Sequence, residues 1–176
     1  RWDNNNGLFE KGGTRSNSAT FVDFFPTLIE LCGITVDGEN NVLPSDREID
    51  GVSFVPVIKN DSVVHTEEHP ILHMKREDIK AIQYTVPSQT IKDMYPDYDY
   101  EILDKEYITL KYFDKAPNDN SAFFDKSRKN WLHILTDDYQ ENYNRTVVYP
   151  EISAKMNEEL KGIQNNFKEN RRGIIE

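Results

Sequence analysis

The sequence predicts an α+β fold, a small four-stranded antiparallel sheet with a long C-terminal helix packed on it, preceded by a separate helical segment. Three observations carry that reading. In 107–113, Ile108, Leu110 and Tyr112 alternate with Thr109 and Lys111, the period of a strand with one buried face. Segments 71–74, 79–86 and 131–135 are likewise rich in strand-forming residues and bounded by turn residues. In 150–171, by contrast, Ile152, Met156, Leu160, Ile163 and Phe167 recur every three or four residues, the apolar stripe of an amphipathic helix.

The other elements follow in chain order. Residues 3–18 are dominated by Asn, Gly, Ser and charged residues and read as loop. Residues 20–23 have the character of a short strand. A helix over about 25–33 is marked at both ends: Asp23 is placed to cap it, Pro26 suits an early helical position, and Gly33 suits the left-handed residue that ends it. Leu28, Leu31 and Cys32 share one apolar face, which makes Cys32 a small core residue. Residues 36–48 are loop-like, Asp50-Gly51 is a turn signal, and a helical turn is expected over 53–59. The link 87–106 carries Pro96 and many polar residues, so it reads as a surface excursion holding at most a short helix. No internal repeat is visible.

Composition narrows the function classes. The chain has 176 residues, with 31 acidic against 21 basic side chains and a formal charge of -10. Such a field repels phosphate backbones and anionic lipid, which argues against nucleic-acid and membrane partners. The mean hydropathy of -0.73 is low for an enzyme, yet 11 % aromatic content argues against disorder. The single cysteine, Cys32, forms no internal disulfide. No run of 18 apolar residues is present to span a bilayer, and residues 1–20 do not read as a signal peptide. Periplasmic, secreted and cytoplasmic locations all stay open. The opening Arg1-Trp2-Asp3, without an initiator Met, is read as a sign of a fragment.

His65, His69 and His73 recur every four residues, which on one helix would stack three imidazoles as in a zinc site. Pro70 breaks that helix, at a cost of about 3 kcal/mol in a helix interior. With 71–75 as a strand, His69, His73 and Lys75 share a face and His65 lies back in the loop, so these read as ordinary loop and surface histidines and no metal site is assigned. Lys11-Gly12-Gly13-Thr14 reads as a flexible loop rather than an anion cradle, and Asn144-Arg145-Thr146 is a glycosylation sequon. Phosphate-loop, nucleophile-elbow and paired-cysteine motifs are absent from the sequence.

Several stretches in order resemble the later part of the sulfatase family, within the alkaline phosphatase superfamily. They are Arg1-Trp2, then Lys11 to Thr14, then Val22-Asp23-Phe24-Phe25-Pro26-Thr27-Leu28, then Asp50-Gly51-Val52-Ser53-Phe54-Val55-Pro56. A second echo is Trp131-Leu132-His133-Ile134-Leu135 followed by Asp138, Glu141 and Asn144 at the family's spacing, with Tyr149-Pro150 leading into the last helix. The resemblance covers about half of the chain.

The resemblance implies the end of a large α/β domain over 1–62 and a small sheet-plus-helix subdomain over 63–176. It implies sulfate-ester hydrolysis by a parent that carries a formylglycine residue and calcium. The chain itself departs at the catalytic centre: the Cys/Ser-x-Pro-x-Arg motif and the family's metal ligands have no counterparts, and Cys32 is not followed by that pattern. No catalytic or cofactor residue is therefore assigned here, and the chain alone is expected to be inactive. His73, Lys75 and Arg76, at a strand end, are the residues expected to meet an anionic or sugar leaving group. The expected partners are the missing N-terminal catalytic domain and a second copy through residues 19–34, where the apolar residues concentrate. The rival readings are a free-standing binding module, and a fragment of a phosphodiester or phosphonate hydrolase of the same superfamily.

Overall fold

The structure is a computed structural model and describes residues 15, 17–34, 50–60, 62–97, 104–114 and 130–169. The chain divides into two compact units, Arg1–Ile71 and Leu72–Glu176.

In the first unit a 3-10 turn, Phe21–Asp23, runs into helix α1, Phe24–Cys32, and helix α2 follows at Val55–Asn60. The strand expected over 20–23 is therefore a helical turn. Its cause is Asp23, whose carboxylate accepts the Thr20 backbone N–H at 2.6 Å and closes the chain into a turn. Gly33 ends α1 with φ 59°, the left-handed conformation that glycine adopts without a Cβ clash. Asp23 does precede the helix, but its side chain makes no cap bond to α1. Cys32 is exposed, so its expected place in a core is not found. Within α1 Pro26 is buried and Thr27, Ile29 and Leu31 are half-buried, while Cys32 lies at the exposed C-terminal end of the helix.

The second unit centres on four strands in the order β1-β2-β3-β4. They are β1, Ile71–Lys75; β2, Asp78–Pro87; β3, Tyr107–Phe113; and β4, Trp131–Ile134. The β2–β3 and β3–β4 pairs are antiparallel, with Tyr84 opposite Leu110 and Leu110 opposite Ile134. Because side chains alternate, this register puts Ile82, Tyr84, Val86, Ile108, Leu110, Tyr112, Leu132 and Ile134 on one face. Helix α4, Pro150–Glu169, covers that face with Ile152, Met156 and Leu160, and all of these belong to one buried core.

The 87–106 link is more than a surface excursion. Helix α3, Ser88–Met94, sends Ile91 into the core, and Tyr95 follows it. The Tyr95 hydroxyl accepts the backbone N–H of Glu151 at 3.0 Å, one of the N–H groups that a helix start leaves without an internal partner. Burial, and then Glu151, push the Tyr95 hydroxyl pKa up to about 12. Pro150 opens α4 at a position where no N–H is required.

Candidate functional site

The face of the sheet away from α4 carries a row of polar side chains. On β1, the half-buried His73 places Nε2 3.0 Å from Gln83 Oε1 on β2. Gln83 stands opposite Lys111 on β3, and Lys111 opposite His133 on β4. Gln83, Lys111 and His133 stand at facing positions on the side of the sheet away from the core, so the register that builds the core also lines up the row.

The segment after β4 folds back over this row. Lys111 Nζ meets Glu141 Oε1 at 2.6 Å and lies 5.0 Å from the centre of the Phe113 ring. Asp138 accepts the backbone N–H groups of Asn142, at 3.0 Å, and Tyr143, at 2.7 Å. The turn this makes holds Glu141 at φ 59°, an unfavourable conformation for a residue with a side chain, and aims its carboxylate at Lys111. His133 is 1 % exposed, with Nδ1 3.9 Å from Asp138 Oδ2 and its ring centre 6.0 Å from that of Phe113 and 5.8 Å from that of Trp131.

Both histidines resist protonation. Burial lowers the pKa of His73, the Lys111 charge lowers it further, and Gln83 and Glu141 offset part of that. Burial likewise dominates at His133, ahead of the opposing pull of Glu141 and Asp138. The row is thus two neutral imidazoles flanking an ammonium that is held by a carboxylate. Its chemistry is hydrogen bonding and fixed charge, suited to holding a loop and presenting a polar rim.

Of the residues expected at a strand end, His73 is in this row. Lys75 is exposed on the same strand, two residues on, and Arg76 is exposed in the turn that follows, at φ 59°. Lys111, His133, Asp138 and Glu141 were not singled out together by the sequence. A histidine in the apolar run 131–135 was the available signal, since a polar residue inside a four-residue strand must face either solvent or a partner.

The first unit has its own buried polar pair. His65 is 7 % exposed, with Nε2 2.9 Å from Asp23 Oδ2 and Nδ1 3.0 Å from the His69 carbonyl. It is therefore not a surface histidine: Asp23 draws its ring inward. Asp23 Oδ1 also accepts the Val52 N–H at 3.1 Å. Burial raises the Asp23 pKa, but the Thr20 and Val52 N–H groups and His65 outweigh it, and the net shift is downward. His69 is exposed, and among the described residues no group of three or more His, Cys, Asp or Glu is placed to hold a metal ion. The Lys11 to Thr14 loop, Arg1-Trp2 and the 36–48 segment lie outside the described residues. Among the described residues no helix is long and apolar enough to cross a membrane.

No protein-family model matches the chain, and no curated protein sequence does. Among solved structures, the chain is similar to BT4656, solved in complex with its substrate D-glucosamine-2-N,6-O-disulfate. The TM-score is 0.41 at 21 % identity, over 92 % of this chain and 27 % of that one. The chain thus spans about a quarter of the length of that protein.

Proposed function

We propose that this chain is the C-terminal portion of a sulfatase, serving as support and substrate wall rather than as the catalytic machine. One observation carries the reading: the residues that resemble the family are the ones that tie their own segments together. Asp23 bonds to Val52 N. Thr27 Oγ1 accepts the Phe54 N–H at 2.8 Å and donates to the Asp23 carbonyl at 2.6 Å. A Cβ on Gly51 would lie 2.1 Å from the Val22 carbonyl oxygen. Asp138, Glu141 and Asn144 act in the same way after β4, where Asn144 Oδ1 accepts the Leu132 N–H at 3.2 Å. These contacts give the resembling residues a folding role in this chain.

On this reading sulfate-ester hydrolysis belongs to a longer protein whose N-terminal domain holds the formylglycine and calcium. The described residues of this chain do not fit either group: they offer no set of three metal ligands, and Cys32 lacks the x-Pro-x-Arg context. His73, with Lys75 and Arg76 beyond it, is the edge that meets an anionic or sugar leaving group, by charge and hydrogen bonding. The experiment is to read the coding sequence upstream of Arg1 and to assay aryl sulfate with the 176-residue chain and with the full reading frame. A Cys/Ser-x-Pro-x-Arg stretch upstream, with turnover by the full protein alone, supports the proposal. Turnover by the short chain that survives repurification overturns it, as does a reading frame without the motif. A threonine or other nucleophile there moves the parent to phosphodiester or phosphonate hydrolysis.

A further inference from the structure

We propose that folding closes the Asn144-Arg145-Thr146 sequon to modification, because the two groups that define it, the amide and the hydroxyl, are engaged with β4. The inference does not rest on the sulfatase reading. In sequence the three residues are an acceptor for an N-linked sugar, and such a stretch belongs to an accessible surface loop. In the fold the chain leaves β4, turns where Asp138 takes the Asn142 and Tyr143 N–H groups, and returns to lie beside Leu132. The Arg145 N–H then reaches the Leu132 carbonyl at 2.7 Å.

The atoms that a glycosyl transfer needs are the ones held. Asn144 Nδ2 donates to the Asn130 carbonyl at 3.1 Å. Asn144 Oδ1 accepts the Leu132 N–H at 3.2 Å, the Thr146 N–H at 3.0 Å and the Thr146 hydroxyl at 2.6 Å. Thr146 Oγ1 in turn accepts the Leu132 N–H at 3.2 Å. Attachment forms a bond from Nδ2 to C1 of a sugar, breaks the C1–O bond to the diphosphate of a polyprenyl-linked donor, which leaves with the electron pair, and releases an amide proton. An amide nitrogen is a weak nucleophile because its lone pair is delocalised into the carbonyl, so the side chain must come free of its planar, hydrogen-bonded state before it can attack. Here that means breaking the four hydrogen bonds of the Asn144 amide and lifting the segment from Leu132, which is fully buried in the core. Four bonds of ordinary net strength leave the amide presented in roughly one chain in a thousand.

The test is glycosyl transfer in vitro, with a purified oligosaccharyltransferase and its polyprenyl-linked donor, read by mass spectrometry of proteolytic peptides. Three acceptors are compared: a synthetic peptide of residues 138–150, the folded 176-residue chain, and the same chain carrying an appended C-terminal Gly-Asn-Ala-Thr tag. The peptide and the tag are expected to be modified at similar rates, and Asn144 of the folded chain at least ~100-fold more slowly. Modification at the tag shows that the enzyme accepts this protein, so the protection of Asn144 is local. Two results overturn the proposal: Asn144 of the folded chain modified as fast as the tag, or a peptide that is as inert as the folded chain, since the cause would then lie in the sequence and not in the fold.

Discussion

At the residue scale, Asp23 does the most for the first unit. Its carboxylate collects Thr20 N, Val52 N and His65 Nε2, so Asp23→Ala removes a buried charged acceptor and leaves three donors unmatched. A loss of about 2–4 kcal/mol is expected, read as hydrogen-exchange protection of α1 amides. Because the folded pKa lies below the ordinary 3.8, the unfolded chain binds the proton first as pH falls. This contribution is therefore complete above about pH 4 and lost below it. Asp23→Asn is expected to abolish that acid limb, while a limb that persists would place the pKa shift elsewhere. None of this was legible beforehand: Asp23 and His65 stand 42 residues apart, and no local period links a turn carboxylate to a loop imidazole. Gly33 was legible, because the signal and the conformation it requires sit on one residue.

Elements were easier to read than the contacts between them. The alternation in β3 and the stripe in α4 encode burial locally, so both were found close to their observed limits. The apolar concentration over 19–34 was legible too, but the inward place expected for Leu28 and Cys32 was not found, since a periodic stripe shows that a face is apolar and not which way it turns. Two expectations belong here. Gly51→Ala forces a Cβ to 2.1 Å from the Val22 carbonyl oxygen, against the backbone of the Val22–Asp23 peptide, where no flexible side chain can give. We expect more than about 3 kcal/mol of destabilisation, or no folded first unit, by urea titration. In the second unit, burial holds His73 and His133 below the ordinary 6.5. The unfolded chain then binds protons that the sheet does not. The stabilisation is full above about pH 6.5 and declines as pH falls toward the folded values. His133→Gln is expected to flatten the dependence of the urea midpoint on pH between about 5 and 6.5; an unchanged slope would assign it to His73 or to neither.

For the whole molecule, the charge of -10 and the apolar face of 21–34 oppose one another. Bringing two copies together is resisted by like charge and driven by burial. Salt screens the first, the Debye length falling below about 10 Å above 0.1 M, and leaves the second. Any self-association through that face is therefore expected to strengthen from about 0.05 to 0.3 M NaCl, the reverse of an interface built on ion pairs. Weakening over that range would point to charged contacts outside this face.

The edge of the sheet at β4 limits what any association can become. Leu132 N–H is taken by Asn144 Oδ1 and Thr146 Oγ1, and Leu132 C=O by the Arg145 N–H. The Asn-x-Thr stretch that reads as a sugar-acceptor sequon thus works as a selvedge, the finished border that stops a fabric from unravelling or being sewn to another. A sheet sealed on one side has at most one edge to offer, and strands added at a single edge give a pair and never a fibre. Asn144→Ala unpicks that border. If the border is what prevents fibre growth, this variant forms thioflavin-positive aggregates under conditions where the parent chain stays clear.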